Sequence, residues 1–256
     1  MIENTELIII FFLVALFYST VGFGGGSSYL ALMAVFGISA LLMRSTALTC
    51  NIIVVTSGTY LFYRQGHLNF KKVWPFVLAS IPMAFAGGLV QMSEKGFMML
   101  LGSSLILAAL LMVIEVLRKQ ILMKIRVNSL SPLVNGGIGG AVGFLSGLVG
   151  IGGGIFLSPL LHLTQWGTPR EIAALSSFFI LVNSMAGLSG LFISSGLSVD
   201  PAFVLPLVVS VFAGGQIGSR LGSKVFRPDV VKLLTALLIF YVGLRIVLLQ
   251  GFGVRI

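Results

Sequence analysis

Charge is what this chain lacks most. Only 9% of its 256 residues are Asp, Glu, Lys or Arg, against about 25% in a soluble domain. Acid is scarcest. The seven carboxylates (Glu3, Glu6, Glu94, Glu115, Glu171, Asp200 and Asp229) fall in loops or near the ends of apolar segments. None is expected at mid-membrane, so neither a carboxylate proton relay nor a carboxylate sodium site is predicted. The single cysteine, Cys50, excludes an intrachain disulfide and a cysteine-based metal cluster. Two separated histidines, His67 and His162, make no metal site. No Ser/His/Asp or Cys/His constellation stands out, so the expectation is a protein that is not an enzyme and holds no cofactor. The start, "MIENTE", is acidic and lacks the basic flank and cleavage site of a secretory signal.

What fills the chain is hydrocarbon. Hydrophobic residues make up 57% of it, in successive runs close to the ~20 residues a bilayer span needs. These lie at about 7–21, 27–43, 46–63, 73–92 and 97–117, then at about 133–149, 155–165, 172–193, 203–219 and 230–250. The fold class predicted is an all-α polytopic membrane protein, a single membrane domain over residues 1–256 whose partner is the lipid bilayer. A net charge of +9 in a soluble protein would suggest nucleic acid. Here the lysines and arginines sit in short loops, where they orient the chain, and no nucleic-acid partner is expected.

The chain reads as a duplicated unit. "VGFGGGSSYLALMAVFG" (21–37) matches "VGIGGGIFLSPLLHLTQWG" (149–167), with Gly22, Gly24, Gly25 and Gly26 falling on Gly150, Gly152, Gly153 and Gly154. Further on, Pro75 falls on Pro206 and Gly87 on Gly218. Residues 1–128 and 129–256 are therefore predicted to be two repeats, as secondary transporters commonly have.

The distribution of Lys and Arg orients them. With the N-terminus outside, the cytoplasmic loops carry Arg64, Lys71 and Lys72, then Arg118, Lys119, Lys124 and Arg126, then Arg170, then Arg220, Lys224 and Arg227. The outer loops hold Arg44, the Glu94/Lys95 pair, Asp200 and Arg255. Five segments per half is an odd number, so the repeats are predicted to be inverted. The segment 7–21 would be about 23 Å long as a helix, short of the ~30 Å hydrocarbon core. The pairs joined by the glycines are thus expected to be broken or re-entrant helices rather than full crossings.

Three glycines inside an apolar run weaken a helix by about 1 kcal/mol each relative to alanine. A helix break in lipid strands backbone N–H and C=O groups, tolerated only inside protein or beside a wet cavity. Two breaks in matched positions therefore predict a buried polar site between the repeats. Gly24, Gly25, Gly26, Gly152, Gly153 and Gly154 are its candidate substrate-binding residues, and the N–H groups at the following helix starts would attract an anion. The alternative is packing, since Gly22/Gly26 and Gly150/Gly154 are spaced as GxxxG. Neither motif has the P-loop lysine or full GxGxxG spacing.

The third segment of each half adds polar candidates: Thr46, Thr49, Cys50 and Ser57 on one face with Asn51 beside it, and Ser176, Ser177, Asn183 and Ser184 in the other. Arg44 and Arg170 precede these segments at equivalent places and would gather anions at opposite mouths; the plainer role for each is an interface anchor with its stem in lipid.

Three stretches carry a family resemblance: "GFGGGSSYLAL" with "GLVGIGGGIFLSPLL", "RQGHLNFKKVWP", and "GGQIGSRLGSKVFRPDVVKLLTALLIFYVGLRIV". Over about residues 7–250 the chain resembles the TauE/SafE family of membrane transporters. In "TALTCN" and "AALSS" it departs from the family's usual small-residue pattern. The resemblance implies a multi-pass protein of a bacterial inner membrane that moves sulfite or small organosulfonate anions. With the glycine sites, it predicts a secondary transporter whose repeat cores rock around Gly24–Gly26 and Gly152–Gly154. A non-transporting membrane assembly partner and an anion channel are the alternatives. The sequence carries no signal for oligomeric state.

Overall fold

The computed structural model describes residues 2–122, 131–196, 200–221 and 227–253. Lys124, Arg126, Lys224 and Arg255, counted above in the loops, lie outside the described residues. Ten α-helices and no strand occur among the described residues, one helix for each apolar segment: α1 Ile2–Ser19, α2 Gly26–Val35, α3 Ala40–Arg64, α4 Phe70–Leu89, α5 Glu94–Leu122, α6 Pro132–Val149, α7 Gly154–Leu163, α8 Pro169–Ser195, α9 Pro201–Leu221 and α10 Pro228–Phe252. Seven of them (α3, α4, α5, α6, α8, α9 and α10) are long and apolar enough to cross a membrane, whereas α2 and α7 have only ten residues each. The protein is an integral multi-pass membrane protein.

Local chemistry sets the boundaries. α8 opens on a capping box in which Thr168 accepts from the Glu171 N–H and Glu171 reaches back to the Thr168 N–H, satisfying two donors that a helix start leaves bare. Ser131 and Asn69 cap α6 and α4 with side-chain oxygens. One boundary differs from the sequence expectation. The turn between the second and third segments falls at 36–39, around Gly37 at φ +70°, so the apolar run "ALLM" starts α3 instead of finishing α2. This draws Arg44 out of the expected loop and into a helix.

Helix directions follow from the packing. α1 runs parallel to α9: Ser210 donates to the Ile8 carbonyl, and Gly214 and Gly218 lie on Phe12 and Leu16. α6 runs parallel to α4, with Gly139, Gly143 and Gly147 against the backbone of Phe76, Ser80 and Ala84. α3 and α8 are antiparallel, joined by Thr59 Oγ1 and Ser177 Oγ at 2.9 Å and by Gly187 beside Leu48. α5 and α10 pair through Gly102 and Gly243. Small residues let these backbones approach where lipid offers no hydrophobic drive for association. Glycines spaced as GxxxG thus bind helices in α6 (Gly139, Gly143, Gly147) and in α9 (Gly214, Gly218).

Candidate functional site

At each glycine motif the chain reverses. α1 runs with α9 and α3, and α2 returns beside the first half of α3 through the short 36–39 turn. α6 runs with α4, and α7 turns back toward the start of α8. Both returning helices start at a glycine in the left-handed region, Gly25 at φ +93° and Gly153 at φ +83°, and neither has a side-chain cap. A helix start without a cap leaves N–H groups free for a ligand and carries the positive end of the helix dipole.

The two turns meet at Asn51. This side chain is fully buried, halfway along α3, and its Nδ2 donates to the Ile151 carbonyl at 2.9 Å. A Cβ on Gly24 would stand 2.5 Å from Asn51 Oδ1, one on Gly26 2.5 Å from the Ile151 oxygen, and one on Gly152 2.7 Å from Asn51 Nδ2. Only glycine permits this approach. Around the junction lie polar atoms with no hydrogen-bond partner: Asn51 Oδ1, Ser184 Oγ beside Gly152, and Ser146 Oγ on α6. An unpaired buried hydroxyl costs about 1–3 kcal/mol, and this cluster places several around two uncapped helix starts.

The remaining expected residues divide. Gly154 packs on Ile180 and belongs to the junction's wall. Ser176 Oγ and Asn183 Oδ1 are buried without partners, although Asn183 also donates to the Phe179 carbonyl of its own helix. Thr49 donates to the Ser45 carbonyl, and Ser177 pairs with Thr59 across the α3–α8 contact. Ser184, on the same stripe of α8 as Ser176 and Asn183, faces Gly152; Ser146, which the sequence reading does not include, stands four residues before Gly150, the spacing that places it on the turn.

Arg44 and Arg170 do not form a matched pair. Arg170 is exposed at the start of α8. Arg44 is only 5% exposed, and its guanidinium donates to carbonyls of Gly147 (3.1 Å), Gly87 and Val90. These carbonyls belong to the last turns of α6 and α4, where a cation complements the dipole. Its Nε has no partner. It also lines a cavity of about 370 Å³ with Ala40, Leu41, Gln91, Phe97 and Ser195, and its backbone rests 3.2 Å from where a Cβ of Gly150 would be. The cavity therefore ends one residue from the second glycine turn.

A second polar cluster was not anticipated. Glu115, expected near a segment end, lies two turns inside α5 and is buried. It takes Lys232 of α10 as an ion-pair partner, with His162 Nδ1 of α7 at 3.2 Å. The apolar run alone concealed it, because α5 continues beyond that run to Leu122.

The family model described as "Sulfite exporter TauE/SafE" matches residues 7–246. The chain is 36% identical over 245 residues to "Probable membrane transporter protein y4hK" of Sinorhizobium fredii, covering 95% of this chain and 98% of that one. Two Bacillus subtilis proteins, "Probable membrane transporter protein YunE" and "Probable membrane transporter protein YjnA", are 27% and 28% identical, with 86% and 88% of this chain and 89% and 92% of theirs covered. No solved structure matches the chain.

Proposed function

The chain belongs to the sulfite exporter TauE/SafE family, and we propose that it is a secondary transporter of small sulfur-containing anions, of the sulfite or organosulfonate class, working by alternating access around Asn51. The carrying observation is the convergence of two uncapped helix starts on one buried asparagine, with the Ser184 hydroxyl unpaired beside Gly152 and the Ser146 hydroxyl unpaired beside Gly153. N–H groups and hydroxyls are hydrogen-bond donors, and both helix dipoles favour negative charge there. An oxyanion of sulfur offers several acceptor oxygens to such donors. Discontinuous helices whose N-termini face an anionic group are a recurrent device of secondary transporters.

The pairings support the inverted-repeat reading. α1 on α9 and α4 on α6 exchange when the halves are exchanged, as do α2 on α10 and α5 on α7. Gly22 beside Ala173 and Gly150 beside Arg44 exchange in the same way. The cavity at Arg44 is the entrance in this arrangement, on the face where α3 begins and α4 and α8 end. Loop charge makes that face the outer one, in a bacterial inner membrane with the N-terminus outside.

The test is transport by purified protein in liposomes. Concentration jumps of sulfite, thiosulfate, sulfoacetate, taurine, sulfate and chloride would be followed by current and by counterflow of labelled anion. A saturable flux for a sulfur anion, lost in a folded Asn51→Ala variant, supports the reading. Flux that never saturates and shows no counterflow identifies a channel, and silence in both assays from folded protein removes the sulfur-anion reading.

A further inference from the structure

The buried Glu115–Lys232–His162 cluster is unused by the anion site, and ionisable groups inside a membrane domain are costly to keep without a function. Side-chain exposure is 5% for Glu115, 8% for Lys232 and 20% for His162. Lys232 Nζ and His162 Nδ1 both address Glu115 Oε1, while Oε2 of the same carboxylate is buried with no hydrogen-bond partner. His162 Nδ1 also lies 2.9 Å from the Ser158 carbonyl, one turn back on α7. The cluster thus has a carboxylate oxygen and an imidazole able to take up a proton, beside a lysine that already balances the carboxylate.

Position gives that proton a use. α7 is ten residues long, about 15 Å, with Gly154 of the anion junction at its start and His162 in its last turn. One short helix therefore joins the two sites. Glu115 with Lys232 has no net charge; one added proton, on the carboxylate or the imidazole, makes the cluster +1. That charge offsets an anion bound at the other end of the helix, within the same low-dielectric interior.

Other charges near the cluster are few. Asp229 precedes Lys232 by one turn on α10 and Arg118 follows Glu115 by one turn on α5, both more exposed. On α8, which also packs on α7, Arg170 is exposed and Glu171 is held by Lys72 at 3.0 Å. On α3, Arg44 holds helix-end carbonyls and Arg64 leans on Tyr60. α2 and α6 carry no charged residue.

We infer that Glu115, Lys232 and His162 form a proton-binding site that couples proton movement to anion movement in the same direction. The inference rests on the transport reading above. The experiment uses labelled thiosulfate, which stays fully ionised near neutral pH and carries no proton of its own, in proteoliposomes held at zero voltage with potassium and valinomycin. With a lumen one pH unit more alkaline than the bath, wild type accumulates thiosulfate about tenfold for one proton per anion. E115Q/K232M, which removes both charges together and leaves neither unpaired, retains counterflow but loses this accumulation. H162Q then divides the site: loss means the imidazole shares the proton, retention assigns it to the carboxylate, and both support the inference. Accumulation retained by E115Q/K232M overturns it. So does wild-type counterflow that ignores the pH gradient, a result that leaves the transport reading standing; absence of counterflow for every anion removes both. Should the double variant not fold, a pH dye trapped in wild-type vesicles reports the coupling directly, and thiosulfate entry without lumenal acidification overturns it.

Discussion

Asn51 Nδ2 donates to the carbonyl of Ile151 at 2.9 Å, so one side chain of α3 ties the middle of the first half to the glycine turn of the second. Around this bond the backbone is packed as only glycine allows, and the polar atoms proposed to meet the anion are unpaired. Stability and transport should therefore separate under substitution.

Ser184 gives the sharpest separation. Its hydroxyl is buried and unpaired beside Gly152. Ser184→Ala removes an unsatisfied group whose burial costs about 1–3 kcal/mol. Thermal unfolding in detergent should show equal or greater stability, while saturable anion flux falls at least several-fold. Unchanged flux would mean that the hydroxyl does not touch the substrate.

Substitution at the glycine caps should act through folding. Gly25→Ala and Gly153→Ala force a Cβ into the left-handed region, at about 1–2 kcal/mol, and press it to 2.7 Å from the Tyr29 ring and 2.8 Å from the Phe179 ring. Gly37, at φ +70°, has no atom within 4 Å of the same position. Gly37→Ala should thus lower the melting temperature less than either cap variant. Equal losses at all three would show that the ring contacts relax without cost.

The α4·α6 seam makes a second folding prediction. A Cβ on Gly143 would lie 2.6 Å from the Ser80 carbonyl oxygen, whereas one on Gly137, in the same helix, meets nothing within 4 Å. Gly143→Ala should destabilise by forcing the helices apart, and Gly137→Ala should be neutral or stabilising by up to about 1 kcal/mol through helix propensity. Comparison of the two melting curves, in one detergent, checks this.

Sidedness is open to direct labelling. Cys50 is buried, so it gives little background to an impermeant maleimide. Phe36→Cys and Gln65→Cys place thiols at exposed positions flanking opposite ends of α3. The first should react from outside intact cells and the second only after lysis. The reverse pattern would invert the assigned topology.

The helical framework was legible in the sequence because lipid imposes it. Each of the ten apolar runs became a helix, and the glycine doublings marked the two reversals. What escaped depended on partners distant in sequence. Arg44 read as a loop charge because nothing local reveals that its guanidinium ends on the carbonyls of Gly87 and Gly147. Glu115 read as a terminal acid because its partners, Lys232 and His162, lie on two other helices. Asn51 reads in the sequence as a polar residue on a membrane helix, but its place at the meeting of both turns is a property of packing. Thr49 and Ser177 had the same appearance and turned out to be occupied by their own helices or neighbours.

The glycine seams also say which parts can travel together. Gly139, Gly143 and Gly147 set α6 backbone against α4, and Gly88 with Gly187 and Gly190 does the same for α4 and α8. On the other side, Gly214 and Gly218 weld α9 to α1, and Gly215 rests on Val54 of α3. At the α4–α6, α4–α8 and α1–α9 seams, backbone fitted to backbone leaves no side chains to repack, so those pairs are stiff. Each trio also borrows helices from both halves of the polypeptide: α4 with α6 and α8, α9 with α1 and α3. A transport cycle that moved residues 1–128 as one block would tear the closest seams in the molecule. Between the trios the ties run through side chains instead: Thr59 with Ser177, Ser177 with the Val55 carbonyl, and Arg44 with the Gly87 and Gly147 carbonyls, so pieces that shifted against each other along this line would be interleaved in the chain rather than successive along it.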